Sequence, residues 1–197
     1  MDAETLARCT GARLDHARVF AAPLSAAMDR FNIDTSLRMA CFLATVAVES
    51  EGREGPLSAM EEGLYYTSAD RLRLIFPSLF RTGKADALQY TRNPEGLSQL
   101  RYEGGYHGRG LIQLTWKSTY QAASNALGYD YVGNPDLILQ PEHAALTAAW
   151  FFAVYKPCLQ AADRGDMSQV TFLVNGPARL KLRERQEVMK KALKVLS

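Results

Sequence analysis

Tyr106-His107-Gly108-Arg109-Gly110-Leu111-Ile112-Gln113-Leu114-Thr115-Trp116 is the stretch from which the rest of this 197-residue chain can be read. Gly105, Gly108 and Gly110 let the backbone turn tightly and approach another surface. From Ile112 onward apolar and polar side chains alternate. That period of two predicts a short strand, with Gln113 and Thr115 aimed to one side and Leu114 and Trp116 to the other. Side chains that both donate and accept hydrogen bonds, beside glycine backbone and aromatic rings, suit a sugar. The same residues also fit a glycine-rich turn entering a short strand with no ligand at all.

Outward from this stretch the pattern is mostly helical. Residues 2–20 have helical apolar spacing, broken at Pro23, and a second helix is expected over 24–31. Asn32 to Ser36 offers several N-caps for a third, over 37–50, which is apolar on nearly every side and so predicts a central buried helix. Residues 51–66 read as loop, 68–76 as a helix ended by Pro77, and 82–90 as another ended by Thr91-Arg92-Asn93-Pro94. Further helices are expected over 118–127, 141–155, 167–174 and 180–196, the last strongly basic. The pattern predicts a mainly α, or α+β, domain with one small β patch.

An apolar content of 47% is ample for a buried core in one domain, and a net charge of +2 does not demand a nucleic-acid partner. Cys9, Cys41 and Cys158 are odd in number and far apart, which predicts free thiols and folding in a reducing cytoplasm. The first residues show no apolar leader segment. The longest apolar run, Met39 to Val48, is interrupted by Thr45 and too short to span a bilayer.

Two groups of carboxylates could carry chemistry. Glu49 ends the apolar run and shares a helix face with Thr45, Val46 and Cys41. A carboxyl against apolar walls is harder to ionise, as a general acid requires, although a glutamate can also simply mark a helix's exit into water. Glu61-Glu62 begins 12 residues later, in a loop. Two carboxylates on separate elements facing one cleft are the minimum equipment for glycoside hydrolysis, while loop carboxylates are more often merely solvated. Glu51 and Glu54 are further candidates. His16, His107 and His143 lack metal-ligand spacing, and no phosphate loop or nucleophile elbow is present, so neither metal nor cofactor is expected. The terminal helix carries Arg179, Lys181, Arg183, Arg185, Lys190, Lys191 and Lys194, either a solvated face or one attracted to anionic envelope polymers.

Together these pieces resemble glycoside hydrolase family 19, the chitinase-like hydrolases, and most of all its phage-endolysin branch. In that branch a buried helix ends in His-Glu-Ser-Gly-Gly, an acidic residue precedes Asn-hydrophobic-Asn-Tyr-Ser, and Tyr-Arg-Gly-Arg-Gly-Leu-Ile-Gln-Leu-Thr follows. This chain has Val48-Glu49-Ser50-Glu51-Gly52, then Glu61-Glu62-Gly63-Leu64-Tyr65-Tyr66-Thr67, then Tyr106 to Thr115. Asn134-Pro135-Asp136-Leu137, Ala148-Ala149-Trp150-Phe151-Phe152 and Val174-Asn175-Gly176 match as well. The departures are Val48 for histidine, Glu51 within the Gly-Gly pair, Gly63 for asparagine, and Lys117-Ser118-Thr119-Tyr120 for Asn-x-Asn-Tyr.

The resemblance implies a lysozyme-like, two-lobed helical fold with a central substrate cleft, formed by residues 1–197 as a single catalytic domain without a separate wall-binding module. It makes Glu49 the general acid and Glu62 the base, with Glu61 the alternative. Thr115 would hold the attacking water, and Gln113, Tyr106, Asn175 and Arg185 would bind substrate. Inversion at the anomeric carbon fits carboxyls about 6.5–9.5 Å apart. The expected role is an endolysin that hydrolyses β-1,4 bonds of peptidoglycan as a monomer. It would be made in a host cytoplasm and reach the wall after a separate permeabilising protein acts, with its basic helix against the anionic envelope. The rival readings are a chitinase, a catalytically silent glycan-binding homologue, and a secreted antibacterial effector.

Overall fold

The computed structural model describes residues 1–197 as eleven α-helices joined by turns. At its centre is α3 (Ser36–Glu49), in which every residue from Ala40 to Val48 is buried. A helix apolar on all sides needs a complete jacket. Here α1 (Ala3–Thr10), α9 (Leu159–Asp163), α10 (Met167–Asn175) and α11 (Leu182–Leu196) supply it, while α2 (Leu14–Arg30) packs on α8 (Pro141–Trp150). Phe42 of α3 meets Phe152 edge-on at 5.4 Å, near the middle of this main core. No helix is long and apolar enough to cross a membrane.

A smaller lobe has its own core of Leu64, Leu72, Phe76, Phe80, Ala87, Leu97 and Tyr102. It is built from α4 (Ala69–Ile75), α5 (Pro77–Phe80), a 3-10 turn (Ala87–Tyr90) and α6 (Pro94–Tyr102). Two hydrophobic clusters explain the two-lobed shape: the 64–102 segment buries its apolar side chains against one another, apart from the main core.

Several expectations are corrected. Pro23 does not break a helix but sits inside α2. The carbonyl it leaves unbonded belongs to Val19, a residue on the exposed face, where water can satisfy it. The helix expected over 82–90 is only the 3-10 turn at its end. Asn93-Pro94, read as a terminator, starts α6 instead: the Asn93 side chain accepts from Gly96 N–H and Pro94 occupies the first helical turn. Beyond Trp150 the helix widens into a π turn, Phe151–Tyr155.

The β patch contains no regular strand. Residues 60–62 run antiparallel beside 108–110, with Glu62 N–H donating to Gly108 O at 2.9 Å and Gly110 N–H to Met60 O at 2.7 Å. Arg109 then pairs with Leu114 across a tight turn. The strand expected from Ile112 to Trp116 fails because Gln113 (φ 51°) and Trp116 (φ 76°) leave the extended region. Leu114 is consequently buried whereas Trp116 is exposed, so the two do not share a face.

Candidate active site

Glu49, at the last turn of α3, lines a cavity of about 380 Å³ together with Gln113, Thr115, Trp116 and Asn175. Phe151 and Tyr155 of the π turn that follows α8, and Lys156 just beyond it, line the same cavity. Apolar residues do line the cavity beside Glu49, among them Ile112, Leu114 and Val174, but the carboxyl itself also has polar partners. Its Oε1 accepts from Arg185 Nη2 at 2.5 Å and from Asn175 Nδ2 at 3.1 Å. Both bonds fall on one oxygen, which leaves Oε2 without a protein partner. Arg185 is 2% exposed, and its Nη1 also lacks a partner, as does Asn175 Oδ1. Arg185 therefore acts on Glu49 and has no surface to offer a sugar.

The Gln-Leu-Thr stretch forms one edge of this cavity. Gln113 spends its amide donor on Ala59 O (3.2 Å) and Gly110 O (3.0 Å), so the oxygen is the part left for a ligand. Thr115 Oγ1 donates to Gln113 O at 2.8 Å and keeps its acceptor capacity. Tyr106, expected at the substrate, lies elsewhere. Its ring is buried against Tyr120 at 5.3 Å and its hydroxyl donates to Val132 O, which fastens the motif to the main lobe.

Glu61 and Glu62 line a second cavity, of about 570 Å³, with Ser98, His107, Arg109 and Asp136. Being successive residues of an extended segment, they point to different partners. Glu61 Oε1 lies 2.8 Å from His107 Nε2, whose Nδ1 is 2.6 Å from Ser98 Oγ. Arg109 Nε is 3.9 Å from the same oxygen and 3.0 Å from Asp136. Glu62 instead accepts from the Tyr102 hydroxyl at 2.7 Å and from Gly108 N–H at 3.3 Å. Burial and the bond to Glu62 push the Tyr102 phenol well above its ordinary range, so it remains a donor.

The two cavities are lined by different residues, but the Gly108 backbone lies between Gln113 of one and Glu62 of the other. A Cβ at Gly108 would lie 2.8 Å from Gln113 Oε1 and 3.5 Å from Glu62 Cβ. Beside it the Tyr102 ring packs on Trp116 at 5.2 Å. Glu49 thus lines one cavity and Glu62 the other, one carboxylate supported by a buried guanidinium and the other by a phenol and a backbone amide. Two carboxyls with different hydrogen-bonding partners are the kind of pair that acid-base cleavage of an ether-type bond requires. Tyr102, His107 and Trp116 were not singled out as site residues from sequence. The N-cap signal at Asn93-Pro94 would have placed Tyr102 on a helix, but nothing local marks its contact with Glu62.

A family model described as chitinase class I, glycoside hydrolase family 19, matches residues 37–164. Chitinase 8 of Oryza sativa subsp. japonica is 58% identical over 48 residues, 24% of this chain and only 18% of the length of that plant protein. A glycosyl hydrolase family 19 domain-containing protein of Haemophilus influenzae is 28% identical over 174 residues, 78% of each chain. The fold is similar to chitinase C from Streptomyces griseus HUT6037, with a TM-score of 0.64 and 21% identity over 98% of this chain and 75% of that one. It is equally similar to another bacterial family 19 chitinase, with a TM-score of 0.65 and 19% identity over 98% and 93% of the two chains. With its model matched over more than half of its length, the chain belongs to glycoside hydrolase family 19, the class I chitinase family.

Proposed function

We propose that the protein is an inverting glycoside hydrolase that cuts β-1,4 bonds of peptidoglycan, in the manner of an endolysin. The observation that carries this reading is Glu49: a cleft-lining carboxyl with one oxygen held by Arg185 and Asn175 and the other free. Glu49 Oε2 gives its proton to the leaving glycosidic oxygen, and the charge left on the carboxylate falls beside the Arg185 guanidinium. Glu62, oriented by Tyr102 and Gly108, takes a proton from water, and Thr115 Oγ1 helps hold that water. Glu61 is tied into the His107–Ser98 chain and serves the loop's structure. The Gln113 oxygen is the polar group left for the sugar, while Asn175, its Nδ2 on Glu49 and its Oδ1 buried, lines the cleft beside the acid.

Peptidoglycan is favoured over chitin by the exposed cations Arg183, Lys190, Lys191 and Lys194 on α11. A bacterial envelope is anionic and attracts such a face, whereas chitin is neutral. In an endolysin role the enzyme meets the wall once a separate protein has permeabilised the membrane.

The test is release of reducing ends from purified peptidoglycan and from colloidal chitin by the parent, Glu49→Gln, Glu62→Gln and Glu61→Gln proteins. Peptidoglycan is the expected substrate, with Glu49→Gln and Glu62→Gln each slowing hydrolysis roughly a hundredfold or more and Glu61→Gln remaining active. Release from chitin alone makes the protein a chitinase, and release from neither substrate overturns the hydrolase reading. An inactive Glu61→Gln beside an active Glu62→Gln reverses the choice of base.

A further inference from the structure

Trp116 has a backbone conformation that L-residues rarely adopt, with φ 76° and ψ 137°. It is nevertheless pinned there from both sides. Its N–H donates to Tyr106 O at 2.8 Å, and its carbonyl accepts from Thr119 and Tyr120 N–H at 3.0 and 3.1 Å. A strained conformation persists where the surroundings over-determine it, and such outliers gather at ligand clamps. What this one achieves is visible in the side chain: the indole is not buried with the other side chains of the motif but stands 43% exposed on the wall of the Glu49 cavity.

The ring is also braced. Tyr102 packs against it at 5.2 Å, and the Arg101 guanidinium lies 5.3 Å from its centroid and 5.3 Å from that of Tyr102. Arg101 Nε is buried without a hydrogen-bond partner, so nothing competes with the rings for that edge of the cation. Tyr102 belongs to the core of the small lobe, whereas Trp116 leads into α7 (Lys117–Leu127) of the main lobe. The indole is therefore fixed across the lobe boundary while part of its surface remains open to the cleft.

We infer that Trp116 is a stacking platform for one pyranose ring of the substrate. A β-linked hexosamine presents a face of axial C–H groups that desolvates well against a rigid indole, while its equatorial hydroxyl and acetamido groups stay free for polar partners. The same indole bears on Tyr102, whose hydroxyl holds Glu62. A sugar seated on Trp116 thus rests on the element that orients the proposed base. This inference rests on the glycan-hydrolase reading of the cleft and adds to it a binding residue.

The experiment uses the Glu49→Gln protein, so that ligand is bound without being consumed, titrated with soluble N-acetylglucosamine hexamer and with soluble peptidoglycan strands. The chain has two tryptophans, and Trp150, 3% exposed, packs on the cavity residue Tyr155, so the part of a ligand-induced emission change that Trp116→Gly removes reports Trp116. Trp116→Gly is the informative second change, because glycine suits the backbone conformation that tryptophan holds under strain. The expected result is an emission change on binding that vanishes in Trp116→Gly, with affinity weakened on the order of tenfold and largely retained in Trp116→Phe. In the active background the loss should appear in KM more than in kcat. Unchanged affinity in Trp116→Gly, with the parent binding normally, overturns the platform alone. Failure of the parent to bind either glycan overturns the cleft reading and the platform together.

Discussion

Arg185 Nη2 lies 2.5 Å from Glu49 Oε1, joining two residues 136 positions apart in the chain. The pair ties the C-terminal helix to the end of the central one. Arg185 is among the most deeply buried side chains of the protein, and its Nε donates to Leu180 O at 3.3 Å. A guanidinium buried to this extent needs acceptor oxygens, and Glu49 Oε1 and Leu180 O are the two it meets. The proposed proton transfer from Glu49 and the packing of α11 on α3 therefore involve the same contact.

Arg185→Ala should unfold more readily than the parent by about 3 kcal/mol, because removing one partner strands the other. It should also lose most hydrolysis. Arg185→Lys should rescue little, since an ammonium cannot bond Leu180 O and Glu49 in the same planar arrangement. Urea unfolding and reducing-end release on the same preparations check both statements. Stability within about 1 kcal/mol of the parent in Arg185→Ala would refute the assignment of this pair as a structural anchor.

Tyr102→Phe removes only the hydroxyl that donates to Glu62 and leaves the ring on Trp116. A hydrogen bond to a charged group contributes about 1.5–3 kcal/mol, so kcat should fall on the order of tenfold or more. KM should change little, because the sugar-facing surface is intact. Steady-state kinetics on soluble peptidoglycan strands decide it. An unchanged kcat with a raised KM would mean that the phenol serves binding, not the orientation of Glu62.

These two positions show what could be read from the sequence and what could not. Glu49 and the Gln113-Leu114-Thr115 stretch are legible because the first ends an all-apolar helix and the second follows a glycine-rich turn. Both signals are local. Arg185 is placed at the substrate by the family resemblance alone; its bond to Glu49 is a tertiary contact with no mark in its own helix. Tyr106 was misplaced for the opposite reason: a tyrosine in the motif looks like a ligand contact until its ring is found against Tyr120. The strand expected through Trp116 was lost to two left-handed residues whose strain is stabilised by hydrogen bonds from other segments. Alternation of side chains cannot reveal that. Pro23 and Pro94 were both read as stops, although one faces a solvated carbonyl and the other starts a helix behind Asn93.

The buried thiols should make the fold sensitive to alkali. Burial pushes Cys41 and Cys158 from an ordinary value of 9.0 up to about 12. Below pH 9 both states hold these protons and stability is unaffected. Between pH 9 and 12 the unfolded chain releases protons that the folded chain retains, so the unfolding free energy falls as pH rises. The slope is up to about 1.4 kcal/mol per pH unit for each thiol. Urea midpoints measured from pH 8 to 10.5 should decline, and the decline should be shallower in Cys158→Ala. A flat profile would be inconsistent with thiols this protected.

Gly110→Ala should damage the site more than its size suggests. Gly110 has φ 74°, and an added Cβ would lie 2.7 Å from Ile138 Cγ2 and 3.2 Å from Ile138 O. The side chain could shift, but the carbonyl belongs to the 3-10 turn Pro135–Leu139 and cannot move freely. Left-handed strain and overpacking together should cost about 2–4 kcal/mol. The backbone must give way at a point where Gly110 N–H holds Met60 O, two residues before Glu62. Displacement there carries the proposed base away from Tyr102, so activity at a temperature where the variant is fully folded should still be lowered. Gly63→Ala is the control. It also adjoins Glu62, but nothing lies within 4 Å of its Cβ position. It should stay within about 0.5 kcal/mol of the parent and keep its activity. Equal losses in both variants would show that the loop around Glu62, not the Gly110 contact with residue 60, governs the base.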